Sequence, residues 1–279
     1  MSGSGTLFVV ATPLGHLDDL TARAAALLRL VPVVAAEDTR RTRILLTHLG
    51  AQPRVLSFHA HSPARRREVL LEILEQGEDV ALVSDAGTPG ISDPGADLVA
   101  AARAAGVRIV PIPGVSAVTA ALSVAGVPAD RFVFLGFLPR KGKQRKRLLD
   151  QATRSEWPVV LYEAPPRLVD LLEDLKAAGA GDERRVLVAR ELTKLHEEVR
   201  DGALSQVIDH FRQHPPRGEL TIVLWPAPSG QPEAEVPDPS GVARKLLGRG
   251  MTRRAAAAEL VKLTGLPRNE AYRMVLELE

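Results

Sequence analysis

The 279-residue chain has no cysteine. Disulfides, iron–sulfur clusters, thiolate zinc sites and a cysteine nucleophile are therefore excluded. It also has no segment approaching the roughly 18 consecutive apolar residues that a membrane helix needs. The apolar run Thr6 to Thr12 follows Met1-Ser2-Gly3-Ser4-Gly5 with no basic start, so it does not read as a signal peptide, and a cytoplasmic protein is expected. Net charge is nearly lacking too, at +2. The overall balance thus says little about acidic partners, and the distribution of charge has to carry that argument.

That distribution is uneven. Asp238 to Glu279 holds eight Lys/Arg against five Asp/Glu, leaving the rest of the chain slightly acidic. Arg140, Lys141, Lys143, Arg145, Lys146 and Arg147 put six cations into eight residues with no acid between them. Such a run is either a solvated face or a contact for a phosphate backbone. With 45% hydrophobic and 25% charged residues, the length fits two compact domains plus an appendage.

Short β-branched runs alternate with Ala/Leu/Arg-rich stretches. Leu7 to Ala11, Val31 to Ala36, Val55 to His59, Val80 to Ser84 and Val107 to Pro111 read as strands. The first, second and fourth are nearly all apolar, as strands buried on both faces are. Leu20 to Leu30, Ala64 to Gln76 and Ala96 to Ala105 read as helices, with Gly77 and Gly106 where helix C-termini need a left-handed residue. This rhythm predicts an α/β domain with a largely parallel sheet over residues 1–112. A second α/β domain is expected over 113–227, with strands at Phe132 to Phe137, Pro158 to Tyr162, Arg185 to Ala189 and Leu220 to Trp225. Five prolines between Pro226 and Gly241 mark a linker, placed at 228–239. A small helical tail, 240–279, follows in helix-turn-helix outline, with Ser240 and Thr252 as N-caps and Pro267 opening a last helix to Leu278.

Chemistry-bearing residues gather where strands end. Ser84-Asp85-Ala86-Gly87-Thr88-Pro89-Gly90-Ile91-Ser92-Asp93-Pro94-Gly95 follows a buried strand. Its glycines bare backbone N–H groups and allow close approach, and Asp85 can accept from a hydroxyl or ammonium; the plain alternative is a tight turn with Asp capping the next helix. Thr12-Pro13-Leu14-Gly15 ends the first strand but lacks GxGxxG, so a dinucleotide site is not supported. Glu37-Asp38-Thr39-Arg40-Arg41 is either a charged site or an acidic helix start. Pro113-Gly114-Val115-Ser116-Ala117 opens a helix with free N–H groups, while Tyr162-Glu163 and Arg190-Glu191-Leu192-Thr193-Lys194 end two further strands. His59 and His61 form the one metal-like spacing, without a carboxylate partner, and no metal site is expected.

Together these segments resemble the tetrapyrrole methylase superfamily of S-adenosylmethionine-dependent enzymes, and within it the branch that methylates ribose 2′-hydroxyls of small-subunit ribosomal RNA. The matching stretches run from Thr6 to Trp225, with Ser84 to Gly95 the most specific. The branch often carries an Asn after its His-rich strand end, where this chain has His59-Ala60-His61-Ser62-Pro63. The resemblance implies two α/β domains with S-adenosylmethionine in the cleft between them, a helical tail, and a homodimer. It implies a cofactor site of Leu14, Asp85, Thr88, Ser116, Ala117, Tyr162, Leu192 and Thr221. It further implies a cytidine ribose in the decoding region of 16S rRNA as methyl acceptor, with the small ribosomal subunit as partner. Glu37, Asp38 and Glu163 are then the candidates for taking the hydroxyl proton, and the basic run and tail the candidates for holding RNA. A corrin-methylating enzyme, or an RNA-binding module that kept only the fold, are the alternatives.

Overall fold

In a computed structural model, residues 4–59, 62–228, 239–264 and 266–277 are described. Contacts divide the chain into two compact units, residues 1–227 and 228–279. His61, most of the proline-rich linker, Gly265 and Leu278 lie outside the described residues.

The first unit contains two five-stranded sheets. In the first, β1 (Thr6–Val10), β2 (Val33–Ala36), β3 (Arg54–Ser57), β4 (Val80–Val83) and β5 (Arg108–Ile112) run in the order β3-β2-β4-β1-β5. All four pairings are parallel, so every carboxyl end lies along one edge. Strands β2 and β4 are buried at every position, as their unbroken apolar runs require. The helices α1 (Ala22–Leu30), α2 (Thr39–Leu49), α3 (Ala64–Glu75) and α4 (Ala96–Ala104) cover the sheet. One apolar layer, with Leu70, Leu74 and Leu98, lies on one side; another, with Leu28, Leu45 and Leu46, lies on the other. Gly77 (φ 90°) and Gly106 (φ 73°) follow α3 and α4 in the left-handed conformation.

The second sheet is mixed. After α5 (Ala117–Ala125) come β6 (Val133–Phe137), α6 (Lys143–Arg154), β7 (Val159–Glu163), α7 (Leu168–Leu175), β8 (Arg185–Arg190), β9 (Glu198–Ala203), α8 (Leu204–Gln213) and β10 (Leu220–Leu224). The order is β6-β7-β10-β8-β9, with only β6 and β7 parallel. Strand β9, which the sequence pattern does not reveal, is an edge strand with sequence Glu-Val-Arg-Asp-Gly-Ala. Charged side chains on an edge blunt pairing with other chains, and they also erase the apolar alternation that announces a strand.

The second unit holds α9 (Pro239–Gly248), α10 (Arg253–Thr264) and α11 (Arg268–Glu277) around Leu246, Leu260, Ala271 and Val275. Thr252 caps α10 as expected, its hydroxyl accepting from Ala255 N–H at 3.3 Å. Ser240 lies inside α9 rather than ahead of it, because the helix begins a residue earlier, at Pro239, a residue type suited to the first turn because it has no N–H to satisfy.

The basic run folds differently from its expectation at one position. Arg140, Lys141, Lys143, Lys146 and Arg147 are exposed, but Arg145 is buried. Its guanidinium donates to Asp174 Oδ2 at 2.8 and 2.5 Å and to the Pro139 carbonyl at 2.9 Å. Arg145 is thus a packing element joining α6 to α7 rather than a phosphate contact. The sequence could not separate it from its neighbours, because only the helical period decides which cation of a run faces inward. Arg145→Gln should destabilise the chain by about 1–3 kcal/mol, since it removes a charge-assisted, half-buried pair with Asp174 and the bond to the Pro139 carbonyl. Lys146→Gln should leave stability within about 0.5 kcal/mol. Equal denaturation midpoints for the two variants would contradict this placement.

Candidate active site

The carboxyl edge of the first sheet is tied together by short polar links. The loop after β1 and the loop after β4 exchange backbone hydrogen bonds, Thr12 N–H to Gly87 O and Gly87 N–H to Thr12 O, both 2.9 Å. The Thr12 hydroxyl donates to Ser84 O at 3.0 Å, and the Thr88 hydroxyl to Val115 O at 3.1 Å. The second link fastens the glycine-rich loop to the segment that opens α5. At Gly114 a side chain would bring its Cβ within 2.9 Å of Ala11 Cβ, so this junction sits directly against the end of β1.

The second sheet closes on the same edge. Strand β6 shifts register between Phe134 and Gly136. Gly136 has φ 60°, and a Cβ there would lie 2.8 Å from Ser92 Oγ. The bulge, possible because glycine tolerates this backbone, admits the glycine-rich loop. From the other side, Thr193 Oγ1 accepts from His16 N–H at 3.1 Å. The described non-glycine residues with positive φ are Ser92 (60°), Glu191 (52°) and Thr193 (65°), all in these loops. Backbone strain of this kind, about 1–3 kcal/mol per residue, is held only where surrounding structure over-determines it.

Between the two sheets these loops enclose a cavity of about 450 Å³. Leu14, Asp85, Thr88, Ser116, Ala117, Tyr162 and Thr221 line it, seven of the eight residues expected around a cofactor. Leu192 lies behind the wall, packed against the apolar cluster of Val118, Ala121 and Val160. Tyr162 makes an aromatic face with Phe134 and Phe137, at centroid distances of 5.1 and 5.5 Å. Burial pushes the Tyr162 phenol up to about 12, with the nearby Asp93 charge adding to the effect.

Carboxylates dominate the opposite wall. Asp85 Oδ1 accepts from Asp38 N–H at 2.8 Å, and Glu37 accepts from the Asp85 N–H, so the ends of β2 and β4 clasp one another. Glu37, Asp85, Asp93 and Glu219 all line the cavity, and Arg41 is its cation. Arg41 lies 3.9 Å from Asp85 and 3.6 Å from Glu219. Burial, then repulsion from Asp85, raises the Glu37 carboxyl. Burial, then repulsion from Glu37, pushes Asp93 up to about 7 against a stabilising hydrogen bond from Ser84. Sequence reasoning passes over Asp93, which reads there as the cap of α4; only the approach of Glu37 from another strand marks it as unusual.

Of the two other acids singled out in the sequence, Asp38 is committed elsewhere and Glu163 is ion-paired at the cavity wall. Asp38 caps α2, accepting from Arg40 N–H at 2.8 Å, and pairs with the Arg40 side chain at 3.2 Å. It does not line the cavity. Glu163 reaches the cavity wall but is buried, with Ala164 N–H 2.9 Å from Oε1 and Arg167 3.1 Å from Oε2. Among the described residues no group of three His, Asp or Glu side chains is placed to hold a metal ion, and no helix is long and apolar enough to cross a membrane.

The sequence pattern of the tetrapyrrole (corrin/porphyrin) methylases matches residues 6–208. A ribosomal RNA small subunit methyltransferase I from Synechocystis is 45% identical over 99% of both chains. The chain belongs to the tetrapyrrole methylase family, in that branch. A relative of the same name from Thermotoga maritima is 44% identical over 79% of this chain and 98% of its own length. Among solved structures, a uroporphyrin-III C-methyltransferase from Thermus thermophilus, complexed with S-adenosylhomocysteine, shares the fold at TM-score 0.59 and 20% identity, covering 78% of this chain and 97% of that one.

The residues fit the cofactor this family implies. Surplus negative charge suits a sulfonium with an ammonium group, the aromatic wall suits a purine, and the start of α5 offers N–H groups. The Ser116 side chain makes no capping hydrogen bond there. The raised Asp93 carboxyl also sets a pH signature. Because its folded pKa lies above the unfolded value, its stabilising influence is present at low pH and lost as pH rises through about 7. Asp93→Asn should therefore raise Tm more at pH 8 than at pH 5.5. A Tm difference that does not change between the two pH values would show that Asp93 is not held in a repulsive cluster.

Proposed function

We propose that this chain transfers a methyl group from S-adenosylmethionine to the ribose 2′-hydroxyl of a cytidine in the decoding region of 16S rRNA, presented by the small ribosomal subunit. The observation that carries the methyl-transfer reading is the acid-rich cavity, in which Leu14, Asp85, Thr88, Ser116, Ala117, Tyr162 and Thr221 face one space. The RNA acceptor is supported by the names of the relatives that align along nearly the whole chain. A corrin acceptor has behind it the broader family pattern and fold likeness at about 20% identity, not the relatives aligned along nearly the whole chain.

When bound, S-adenosylmethionine supplies a methyl group on a positively charged sulfur. The chain's task is to hold the acceptor oxygen in line with that bond and to keep water away. Asp85 is anchored by the Asp38 N–H at 2.8 Å, so its second oxygen is presented at a fixed angle to hydroxyl or ammonium donors. The Tyr162 and Phe137 rings cover the apolar part of the ligand. Glu37, whose carboxyl is raised by burial, and Asp93, pushed up to about 7, are suited to accept the ribose proton as the oxygen is methylated. Asp38 and Glu163 act as anchors for Arg40 and Arg167 in this reading. Arg140, Lys141, Lys143, Lys146 and Arg147 would hold the RNA backbone. A cytoplasmic homodimer completes the proposal, testable by light scattering at micromolar concentration.

The deciding experiment is transfer of labelled methyl to small ribosomal subunits that lack the modification, with a corrin precursor as the competing acceptor. Label appearing in the corrin but not in the subunit would overturn the proposal. Asp85→Ala should weaken cofactor binding about ten- to hundredfold, the value of one charge-assisted hydrogen bond; unchanged affinity in the folded variant would remove Asp85 from the site. Changing Lys141, Lys146 and Arg147 together to Gln should flatten the salt dependence of RNA binding by about 0.7–0.9 for each phosphate no longer neutralised, while leaving cofactor affinity alone.

A further inference from the structure

The helical unit has a groove of its own. Helices α10 and α11 pack through Ala256, Ala257, Leu260, Ala271 and Val275. On their outer side they leave a groove of about 660 Å³. On α11, Arg268, Tyr272 and Leu276 recur at every fourth residue with Asn269 and Arg273 beside them, so they share one face. Arg254, near the start of α10, closes the groove from across, over a floor of Ala257 and Ala258. Tyr272 and Leu276 are 46% and 45% exposed.

The charge in this groove is uncompensated. The ion pair described in this unit joins Lys262 to Glu259. Among the described residues no carboxylate lies within ion-pairing distance of Arg254, Arg268 or Arg273, and the two described acids of α11, Glu270 and Glu277, do not line the groove. Three guanidiniums without acids, around an exposed phenol ring and an apolar side chain, are the elements that hold phosphates and stack a base. Concavity favours a single strand. In a duplex the bases are already stacked on one another, and its phosphates lie on a convex surface that meets ridges rather than grooves.

We propose that the groove between α10 and α11 binds single-stranded RNA, with Arg254, Arg268 and Arg273 on phosphates and a base stacked on Tyr272. This rests on the reading of the chain as an enzyme acting on RNA, and adds to it a contact made by the helical unit. Asn269 stands beside the ring with an amide that can pair with a base edge.

The test uses the full chain and a fluorescent single-stranded RNA of about ten nucleotides, a length within the span one such surface covers. Affinity is measured across a salt series. Tyr272→Ala should weaken binding about 5- to 150-fold, whereas Tyr272→Phe, which keeps the ring, should bind like the parent. Changing Arg254, Arg268 and Arg273 together to Gln should flatten the salt slope by about 0.7 per phosphate contact. A duplex of the same sequence should bind less tightly and be indifferent to Tyr272→Ala. Helical circular dichroism and cofactor affinity, unchanged in all variants, certify folding. Parent-like binding by Tyr272→Ala or by the triple variant overturns the proposal, and is what a protein-docking surface predicts. Methyl transfer to ribosomal subunits by the parent, run in parallel, separates the two readings. Transfer with unaltered variant binding sinks the groove alone; intact groove binding without transfer sinks the proposed activity alone.

Discussion

Glu37, Asp85 and Asp93 are brought to one cavity by the parallel first sheet, and the geometry around them follows from keeping three acids close without water's full screening. Strands β2 and β4 are hydrogen-bonded neighbours, so their carboxyl ends must deliver Glu37 and Asp85 side by side. Repulsion is met in three ways. Backbone N–H groups are directed at the carboxylates, Asp38 N–H at Asp85 and Asp85 N–H at Glu37. Arg41 is shared between Asp85 and Glu219. Asp93 gives way by holding its proton to about pH 7. A cavity balanced in this manner gains most from a ligand that brings positive charge, because the ligand's field replaces the missing cation.

The second sheet supplies what the acids lack. Its strands are mostly antiparallel, which turns β7 and β10 so that Tyr162 and Thr221 sit opposite one another in register and both face the cavity. Closure depends on three small devices: the bulge at Gly136 that receives Ser92, the contact of Gly114 with Ala11, and the strained turn at Glu191 to Thr193 that reaches His16. Each would be a defect in a protein built for stability alone. Together they hold the two sheets around the cavity.

Much of this was legible in the sequence because the buried strands announce themselves. The apolar runs of β1, β2 and β4 and the glycines after α3 and α4 located the first sheet, and the polar residues that follow each run located its functional edge. The illegible parts share one cause: they depend on what approaches from elsewhere in the chain. Asp93 reads locally as a helix start, and its meaning comes from Glu37, 56 residues away in sequence. Arg145 reads as one cation among six, and its meaning comes from Asp174. Glu163 stood as a proton acceptor on the strength of its strand end, yet Arg167, one helical turn later, holds it. Strand β9 hid because its pairing with β8 is backbone-driven and leaves its side chains charged.

The methylase body and the helical unit answer different questions. A uroporphyrin methyltransferase shares the body's fold at 20% identity, and a shared fold does not by itself fix the methyl acceptor. Each unit of this chain carries exposed cations: the members of the run Arg140 to Arg147 other than Arg145 on the body, and Arg254, Arg268 and Arg273 on the helical unit. The Thermotoga relative matches 79% of this chain yet is itself covered almost entirely. A chain shorter by about a fifth therefore carries the same name. On a surface of this kind each separate phosphate contact would add to RNA affinity and to its salt dependence without touching the reacting atoms.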